Sequence, residues 1–266
     1  MATRLDYYSG IGTEIPKGDI RISASSVSKF LYKTSEWYQE TILGNKNFIS
    51  STATVLGTCV HFCAEEYVKS GTVDAKEIEK YIDQEYKRNP EIDIEVIRTQ
   101  YPIMGEALVN EYVQVNQDIT AEKYTAYEAS KGIWLSGSID AIHNGIVVDY
   151  KTTSALSAPT SIKLDHRYQL LMYCWLLRQE GITIDRIRIV YITTNEVGRV
   201  GKPTKTNPNG GKLKDYPTTV TTITEVIGDQ DYEFIDNIMN LIVDTVVKGI
   251  ENPELKYLLY KDYRLK

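Results

Sequence analysis

Three residues, Asp140, Asp149 and Lys151, have the types and spacing to build a metal site with an ammonium group beside it. Two carboxylates about 5 Å apart at an effective dielectric constant of about 20 repel each other by roughly 3 kcal/mol. A divalent cation, a shared proton or a cationic neighbour such as Lys151 would offset that repulsion. Hard cations such as Mg²⁺ bind one or two protein carboxylates, water and substrate phosphate oxygens. A second interpretation stays open, in which these residues lie on a solvated β-hairpin and their polar side chains merely face water.

The three residues lie on a predicted β-hairpin. Residues 136–142 and 146–151 are rich in β-branched and apolar side chains, and Asn144-Gly145 lies between them. An Asn-Gly pair suits the two positive-φ positions of a type I′ turn. The register that follows pairs His143 with Ile146, Asp140 with Asp149, and Ser138 with Lys151.

Two further pairs of polar residues are spaced to share one face of a helix. His61 and Glu65 are four residues apart in one predicted helix, and Gln169 and Tyr173 are four apart in another. Each pair also has a structural interpretation, as a packed histidine or as a polar flank beside a core tyrosine. His61 becomes a candidate ligand if its helix lies against the hairpin.

Several elements must surround the hairpin to position these side chains. Apolar periodicity and capping residues predict helices at residues 27–31, 54–69, 165–179 and 229–250, and strands at 124–129, 186–193 and 218–226. The first helix is expected to extend through residues 36–40 and to end at Gly44-Asn45. The strand at 124–129 and the hairpin would form a three-stranded meander. The near-continuous apolar run at 186–193 predicts a strand buried on both faces. We therefore expect an α/β fold with a mixed sheet flanked by helices.

A helical insertion is predicted at residues 74–117, polar overall and covering one side of the sheet. Asn89-Pro90 and Tyr101-Pro102 are expected to interrupt its helices. No chemistry stands out in this region.

Two features are predicted for the C-terminal part. Residues 199–214 contain five basic residues and no acidic ones, which predicts either a phosphate-contacting loop between strands or a solvated hairpin tip. The basic residues are Arg199, Lys202, Lys205, Lys212 and Lys214. In the C-terminal helical region, 229–266, the helix at 229–250 should bury Phe234, Ile238, Leu241, Ile242 and Val246, and the tail should pack through Leu255, Tyr257, Leu258 and Leu259.

Composition is that of a soluble globular protein, and we expect one domain over residues 1–266. Apolar residues make up 42% and charged residues 25%, and the net charge of −6 means that a nucleic-acid partner would need a local basic patch. Three cysteines argue against a disulfide framework and for a reducing compartment, with Cys59, Cys63 and Cys174 as buried small side chains. No signal peptide or membrane span is expected, which predicts a cytoplasmic protein.

Several enzyme classes are disfavoured by missing motifs. The sequence has no internal repeat, Walker loop, GxGxxG fingerprint, HExxH or GxSxG motif. P-loop NTPases, dinucleotide oxidoreductases, zincins and α/β-hydrolases are therefore not leading interpretations.

Four motifs occur in an order that resembles a known family. In chain order they are an S-x-S…F segment within residues 23–38, Gly57-x-x-x-His61-x-x-x-Glu65, Asp140 with Asp149-Tyr150-Lys151, and Gln169-x-x-x-Tyr173. Together they resemble the PD-(D/E)XK nuclease superfamily, in particular its RecB-like, phage-type exonuclease branch. The resemblance covers about residues 21–195. It implies a restriction-endonuclease-like core at about 21–70 and 121–195.

The resemblance implies roles for the motif residues. His61, Asp140, Asp149 and the backbone carbonyl of Tyr150 would bind Mg²⁺ or Mn²⁺, the histidine favouring Mn²⁺ as well. Lys151 would orient or deprotonate the attacking water and stabilise the developing phosphate charge. The remaining motif residues would support them: Gln169 and Tyr173 would position DNA or the lysine, and Glu65 would serve near the metal or at a second one.

The resemblance also implies an activity and partners. The chain would be a metal-dependent DNA exonuclease of phage or mobile-element recombination and repair, acting on linear duplex or single-stranded DNA. A phage single-strand annealing or single-strand-binding protein is a suggested partner, and a homo-oligomer stays open. CRISPR-adaptation nucleases of this branch usually carry four cluster cysteines, so no iron–sulfur cluster is expected with three. The alternatives are a structure-selective endonuclease and a non-cleaving DNA- or protein-binding module.

Overall fold

The computed structural model describes residues 15–45, 49–116, 118–155, 157–200 and 213–252, with the backbone alone at 199, 200 and 213. The helices are α1 (Val27–Tyr32), α2 (Thr34–Thr41), α3 (Thr52–Ser70), α4 (Ala75–Arg88), α5 (Ile94–Leu108), α6 (Leu164–Gln179) and α7 (Asp229–Glu251). The strands are β1 (Ile20–Ser23), β2 (Ile119–Ser130), β3 (Ile133–His143), β4 (Ile146–Thr153), β5 (Arg186–Thr193), β6 (Glu196–Val200), β7 (Leu213–Tyr216) and β8 (Val220–Val226).

A six-stranded mixed sheet forms the centre of the fold. Its strands run in the order β1-β3-β4-β5-β8, and β2 pairs with β3. β2, β3 and β4 form the predicted antiparallel meander, and β5 joins β4 in parallel. The predicted α/β fold, a meander plus a further strand flanked by helices, is confirmed. β6 and β7 form a separate two-stranded ribbon.

Helices cover both faces of the sheet. Successive strand residues point to opposite faces, so Val147 joins the core under α6 and α7 while Val148 joins the core under α3, α4 and α5. β5 contributes Ile189 to the first core and Val190 to the second, as expected for a strand buried on both faces. The helices of the insertion therefore complete a core layer against the site-bearing strand.

One strand near the N-terminus was missed by the sequence patterns. The sequence patterns predict no strand before residue 124, but β1 begins at Ile20 and pairs in parallel with β3 from Ile133 onward. Four residues are too few to show a convincing alternation. Residues 1–14 lie outside the described part.

The prediction that Pro102 interrupts the insertion was wrong. α5 runs through Pro102 from Ile94 to Leu108. Tyr101 and Met104 on either side are 7% and 0% exposed in the core with α3. Their burial holds the helix together against the cost of about 3 kcal/mol of a proline inside it. The predicted break at Asn89-Pro90 is present, between α4 and α5.

The buried face of α7 includes the predicted Ile242 and Val246 but differs from the prediction at Phe234 and Leu241. Phe234 and Leu241 are 37% and 51% exposed, and the buried residues are Ile235, Met239, Ile242, Val246 and Gly249. A Cβ atom at Gly249 would lie 2.8 Å from the Tyr38 hydroxyl oxygen. The glycine lets α7 approach Tyr38, and this close approach selects its side of the helix.

Other sequence-based expectations concern thiols, membranes and the tail. Cys59, Cys63 and Cys174 are free and buried, as predicted. None of the described helices is long and apolar enough to cross a bilayer. The tail residues Leu255, Tyr257, Leu258 and Leu259 lie outside the described residues.

Candidate active site

The predicted hairpin register holds near the turn and then ends. The observed pairs are Ala141–Val148, Ile142–Val147 and His143–Ile146. Within the described strands the ladder ends there, so Asp140 does not pair with Asp149 and Ser138 does not pair with Lys151. Ser138 instead pairs with Tyr124 of β2. The two strands separate at the point where they carry the carboxylates.

The Asp140 side chain occupies the gap between the separating strands. The Tyr150 backbone N–H donates to Asp140 Oδ2 at 2.8 Å, and His61 Nδ1 lies 3.3 Å from Asp140 Oδ1. The N–H and C=O of one strand residue point to the same side of the strand, so the Tyr150 carbonyl faces the same gap. The structure thus brings together three of the four predicted metal ligands.

Asp149 lies in a second group of contacts. It is 2% exposed, and its Oδ2 is 2.6 Å from Lys151 Nζ. Gln169 links the two residues, because its Nε2 donates to Asp149 Oδ1 at 3.2 Å and its Oε1 accepts from Lys151 Nζ at 3.3 Å. The α6 glutamine therefore holds the carboxylate and the ammonium in one arrangement.

Tyr173 supports Gln169 from one turn further along α6. Gln169 Nε2 donates to the Tyr173 hydroxyl at 2.7 Å. The Tyr173 ring lies against β3 at Gly137, where an added Cβ atom would be 2.5 Å from ring atom Cε1. A side chain at position 137 would therefore displace Tyr173 and, through it, Gln169.

A second glycine brings α3 close to the site. An added Cβ atom at Gly57 would lie 3.2 Å from Thr152 Oγ1 of β4. This close packing places His61, one turn later on α3, beside Asp140, so the helix does lie against the hairpin. The histidine ring also makes an edge contact with Tyr150, with ring centroids 5.8 Å apart.

Glu65 ion-pairs with Lys69, four residues later on α3. Its side chain is 12% exposed. The sequence-based role of Glu65, near the metal or at a second metal, stays a prediction.

The two carboxylates have different proton affinities. Burial and then the Asp140 charge raise the pKa of Asp149 to about 6, although Lys151 acts in the opposite direction. Burial acts to raise the pKa of Asp140, but His61, Lys151 and the Tyr150 N–H outweigh it and hold this pKa below its usual value. Burial acts to lower the pKa of Lys151, but Asp149 and then Asp140 outweigh it, so the pKa is raised and Lys151 is an ammonium ion at neutral pH.

The donor set fits a hard divalent cation. Asp149 Oδ2 is buried, and its contact among the described residues is the ion pair with Lys151 Nζ at 2.6 Å. The described residues contain no cluster of three His, Cys, Asp or Glu side chains that could form a complete cage. Mg²⁺ suits such a site, because it binds through one or two carboxylates and keeps waters and substrate phosphates as its other ligands.

The basic segment extends from the edge of the site. Thr194 N–H donates to the carbonyl of Thr153, two residues after Lys151, and β6 begins at Glu196. The backbones of Arg199 and Lys214 are register partners in the β6–β7 ribbon. Lys202, Lys205 and Lys212 lie outside the described residues.

Two residues near Lys151 were missed by the sequence patterns. His166 on α6 contacts the hydroxyl of Tyr191, with Nδ1 and the oxygen 3.1 Å apart. Tyr191 lies directly beside Lys151 in the β4–β5 ladder. The position of His166, three residues before Gln169 and on the same side of α6, was the available signal.

Comparison with solved structures supports the fold through the alignment whose TM-score exceeds 0.5. A protein from Eubacterium rectale, provisionally assigned as an exonuclease, aligns with a TM-score of 0.53 and 17% identity over 93% of this chain and 86% of its own. An alkaline exonuclease from Laribacter hongkongensis aligns over 90% of this chain and 93% of its own, with a TM-score of 0.43 and 11% identity. A phage-related exonuclease from Haemophilus somnus aligns over 88% and 96%, with a TM-score of 0.38 and 12% identity.

Comparison at the sequence level gives the family. No curated protein matches the sequence. The family model of the PD-(D/E)XK nuclease superfamily matches residues 21–254, which include every motif residue of the site. The two carboxylates, the lysine and the α6 glutamine thus occur in a chain that belongs to the PD-(D/E)XK nuclease superfamily.

Proposed function

We propose that this protein is a metal-dependent DNA exonuclease. The observation that carries the proposal is the arrangement of Asp140 and Asp149 around the opening of the β3–β4 hairpin, with Lys151 held beside them by Gln169. Two carboxylates this near each other are unfavourable unless cations offset their repulsion, and a divalent cation would do so together with Lys151.

The metal would be held by Asp140, Asp149 and the Tyr150 carbonyl, with His61 as the remaining ligand. A divalent cation bound there supplies a Lewis acid that activates water and neutralises charge on the scissile phosphate. Mg²⁺ and Mn²⁺ are the proposed ions.

Lys151 acts as an ammonium group in this proposal. Its raised pKa makes it a poor proton acceptor at neutral pH, so its role is to orient the attacking water and to stabilise negative charge as the phosphate is attacked. Gln169 keeps the ammonium group at Asp149, and Tyr173 keeps Gln169 in place. The bond that breaks is a phosphodiester bond of DNA, and the product end carries a 5′-phosphate.

DNA would reach the site beside the β6–β7 ribbon. We propose that the basic residues of this segment contact backbone phosphates, since Thr194 at its root is hydrogen-bonded to Thr153, two residues after Lys151. These residues are Arg199, Lys202, Lys205, Lys212 and Lys214. Replacing the three central lysines by serine should make the slope of log K for DNA binding against log salt concentration less steep. The expected change in slope is about 0.9 per lost phosphate contact. An unchanged slope would remove the segment from the proposal.

The preference for exonuclease over endonuclease is supported by the motif resemblance to phage-type exonucleases. The provisional assignment of the Eubacterium rectale protein agrees with it. The same resemblance supports a role in phage or mobile-element recombination in a bacterial host cytoplasm. A single-strand annealing or single-strand-binding protein, and further copies of this chain, are the proposed partners.

One cleavage experiment tests the function. Wild type, Asp149→Ala, Lys151→Ala and the matched control Asp244→Ala, an exposed acid on α7, are incubated with end-labelled linear duplex, closed circular duplex and linear single strands. Reactions contain Mg²⁺, Mn²⁺ or EDTA. We expect loss of linear DNA only, no cleavage in EDTA, and a decrease of about a thousandfold in both site variants, since each removes several kcal/mol of transition-state stabilisation.

Other outcomes distinguish the alternatives. Cleavage of circular DNA would indicate an endonuclease, and DNA binding without cleavage under any cation would indicate a binding module. Equal degradation by wild type and both site variants would show that the site is wrongly assigned.

A further inference from the structure

Tyr191 of β5 lies directly beside Lys151 of β4 in the sheet. The two residues are partners in the parallel β4–β5 ladder and point to the same face of the sheet, towards α6. Neighbouring strands lie about 4.8 Å apart, so the tyrosine ring borders the lysine stem. Tyr191 is 1% exposed, and its ring has no freedom to move away without opening the core.

His166 holds the hydroxyl group of Tyr191. A buried hydroxyl hydrogen needs an acceptor, and His166 Nδ1, 3.1 Å away, is the acceptor that the described residues offer. The backbone of Lys163 acts to lower the pKa of Tyr191, as a donating N–H does, which leaves the tyrosine hydrogen for the histidine. His166 is therefore assigned the tautomer with its proton on Nε2.

The first turn of α6 is itself anchored. Arg167 donates to Glu225 at 3.0 Å and to Asp231 at 2.6 Å, which ties the turn to β8 and α7. His166 lies between this anchor and the sheet, with its side chain 18% exposed. The imidazole can thus transmit the rigidity of the helix end to Tyr191.

The imidazole is neutral in this position. Burial and then the Lys151 charge lower the pKa of His166 to about 4. A neutral ring accepts a hydrogen bond through Nδ1 and does not repel the ammonium group of Lys151.

We propose that His166 and Tyr191 are positioning residues, which act as one unit to confine the Lys151 side chain so that its ammonium group stays on Asp149 and Gln169. The inference rests on the proposed nuclease function, because it assigns the pair a part in cleavage. It places no contact between His166 and the DNA.

Variants at His166 distinguish positioning from direct DNA contact. His166→Asn puts its amide near the place of Nδ1, whereas His166→Gln puts its amide near the place of Nε2. If the imidazole acts through Tyr191, His166→Asn should restore most of the rate that His166→Leu loses. Tyr191→Phe, His166→Gln and His166→Leu should each lower kcat by about tenfold with KM unchanged, as expected for a lost hydrogen bond.

Two results would overturn the proposal at this stage. One is wild-type kcat in Tyr191→Phe. The other is a wild-type cleavage rate in His166→Gln together with a lowered rate and a raised KM in His166→Asn. The double variant Tyr191→Phe/His166→Leu should be no worse than either single variant, since the pair acts as a unit. Thermal unfolding of each variant identifies those that fail to fold, and His166→Asn and His166→Gln, which keep a polar side chain, then carry the comparison.

A measurement without DNA separates this inference from the nuclease function. Labelling with limiting acetic anhydride, followed by mass spectrometry, reports the reactivity of Lys151. Tyr191→Phe and His166→Gln should raise it several-fold and His166→Asn should not. Equal labelling in all variants would overturn the positioning role even if the protein cleaves DNA. The expected labelling pattern from a wild type that cuts no DNA would instead show that confinement is real and that the nuclease function fails.

Discussion

The two ends of the β3–β4 hairpin differ in how their backbone groups are satisfied. At the turn end, three regular pairs join the strands and apolar side chains cover both faces. At the open end, the Asp140 carboxylate takes the place of a backbone acceptor for the Tyr150 N–H. The turn end contributes stability. The open end gives up ladder hydrogen bonds and gains a polar gap in which charged groups can be held.

The electrostatics of the two ends follow the same division. Val147 and Val148 near the turn are buried without charge, whereas Asp149, the next residue, is buried with a pKa raised to about 6. One short strand, β4, can therefore contribute to both the core and the site, because its pairing with β3 stops at the boundary between them. Variants at the two ends should therefore change different properties.

The largest expected effect is on catalysis at the open end. Asp140→Asn keeps an oxygen that can accept the Tyr150 N–H, but it loses the charge that would bind a cation. We expect DNA cleavage to fall by about a thousandfold with little change in thermal stability. Single-turnover cleavage and thermal unfolding measure the two effects. A variant that retained more than a tenth of the wild-type rate would contradict the role of Asp140.

The next effect is a pH dependence of stability that belongs to Asp149. Its pKa in the folded protein, about 6, lies above the ordinary value of 3.8, so the folded state binds more protons and the free energy of unfolding falls as pH rises between these values. The decrease is up to about 3 kcal/mol for two pKa units. His166, whose pKa is lowered to about 4, gives the opposite slope in an overlapping range.

Comparison with Asp149→Asn isolates the aspartate contribution. Urea unfolding in EDTA at pH 4.5 and pH 7.5 should show that wild type loses stability relative to the variant at the higher pH. A constant difference between the two proteins would show that the Asp149 pKa is not raised.

Alanine substitutions of the glycines at the two ends should destabilise the protein for different reasons. Gly137→Ala places a Cβ atom 2.5 Å from the Tyr173 ring, so we expect a loss of about 1–3 kcal/mol and lower cleavage as Gln169 moves. Gly145 has open space around it but a φ of +73°, so Gly145→Ala should cost about 1 kcal/mol and leave cleavage intact. Urea unfolding and cleavage rates test both. Equal loss of activity in the two variants would contradict the division between the ends.

The smallest effect is expected from a methyl deletion at the turn end. Ile146→Val should lower the free energy of unfolding by about 0.5–1.5 kcal/mol, because Ile146 is buried in the core. The loss should be the same at pH 4.5 and pH 7.5, and cleavage should be unchanged. A pH-dependent loss would mean that the two ends are coupled.

Local sequence patterns predicted the parts of the site that depend on short-range rules. The Asn144-Gly145 turn predicted the three pairs nearest to it. Helical spacing placed Gln169 and Tyr173 on one face of α6, where they contact each other. The motif order identified the family, since His61, Asp140 and Lys151 occur with the expected elements between them.

Patterns failed where competition between distant segments decides the outcome. The predicted pairing of Ser138 with Lys151 extended a regular ladder past the point where the Asp140 side chain replaces it. Apolar periodicity predicted that α7 buries Phe234 and Leu241, but the face that packs has Gly249 close to Tyr38 and leaves those two residues exposed. His166 and Tyr191 meet only after α6 folds over β5, so spacing could not reveal the contact.

The turn, the shared α6 face of Gln169 and Tyr173, and the types of chemical groups follow from the sequence, because they depend on residues that lie within a few positions of one another. Tertiary packing separates β3 and β4 at Asp140, brings His61 of α3 to that gap, and lets Gln169 join Asp149 to Lys151. These contacts connect residues 18 to 79 positions apart. Close packing at Gly57 and Gly137 sets those distances, and no local pattern contains that information.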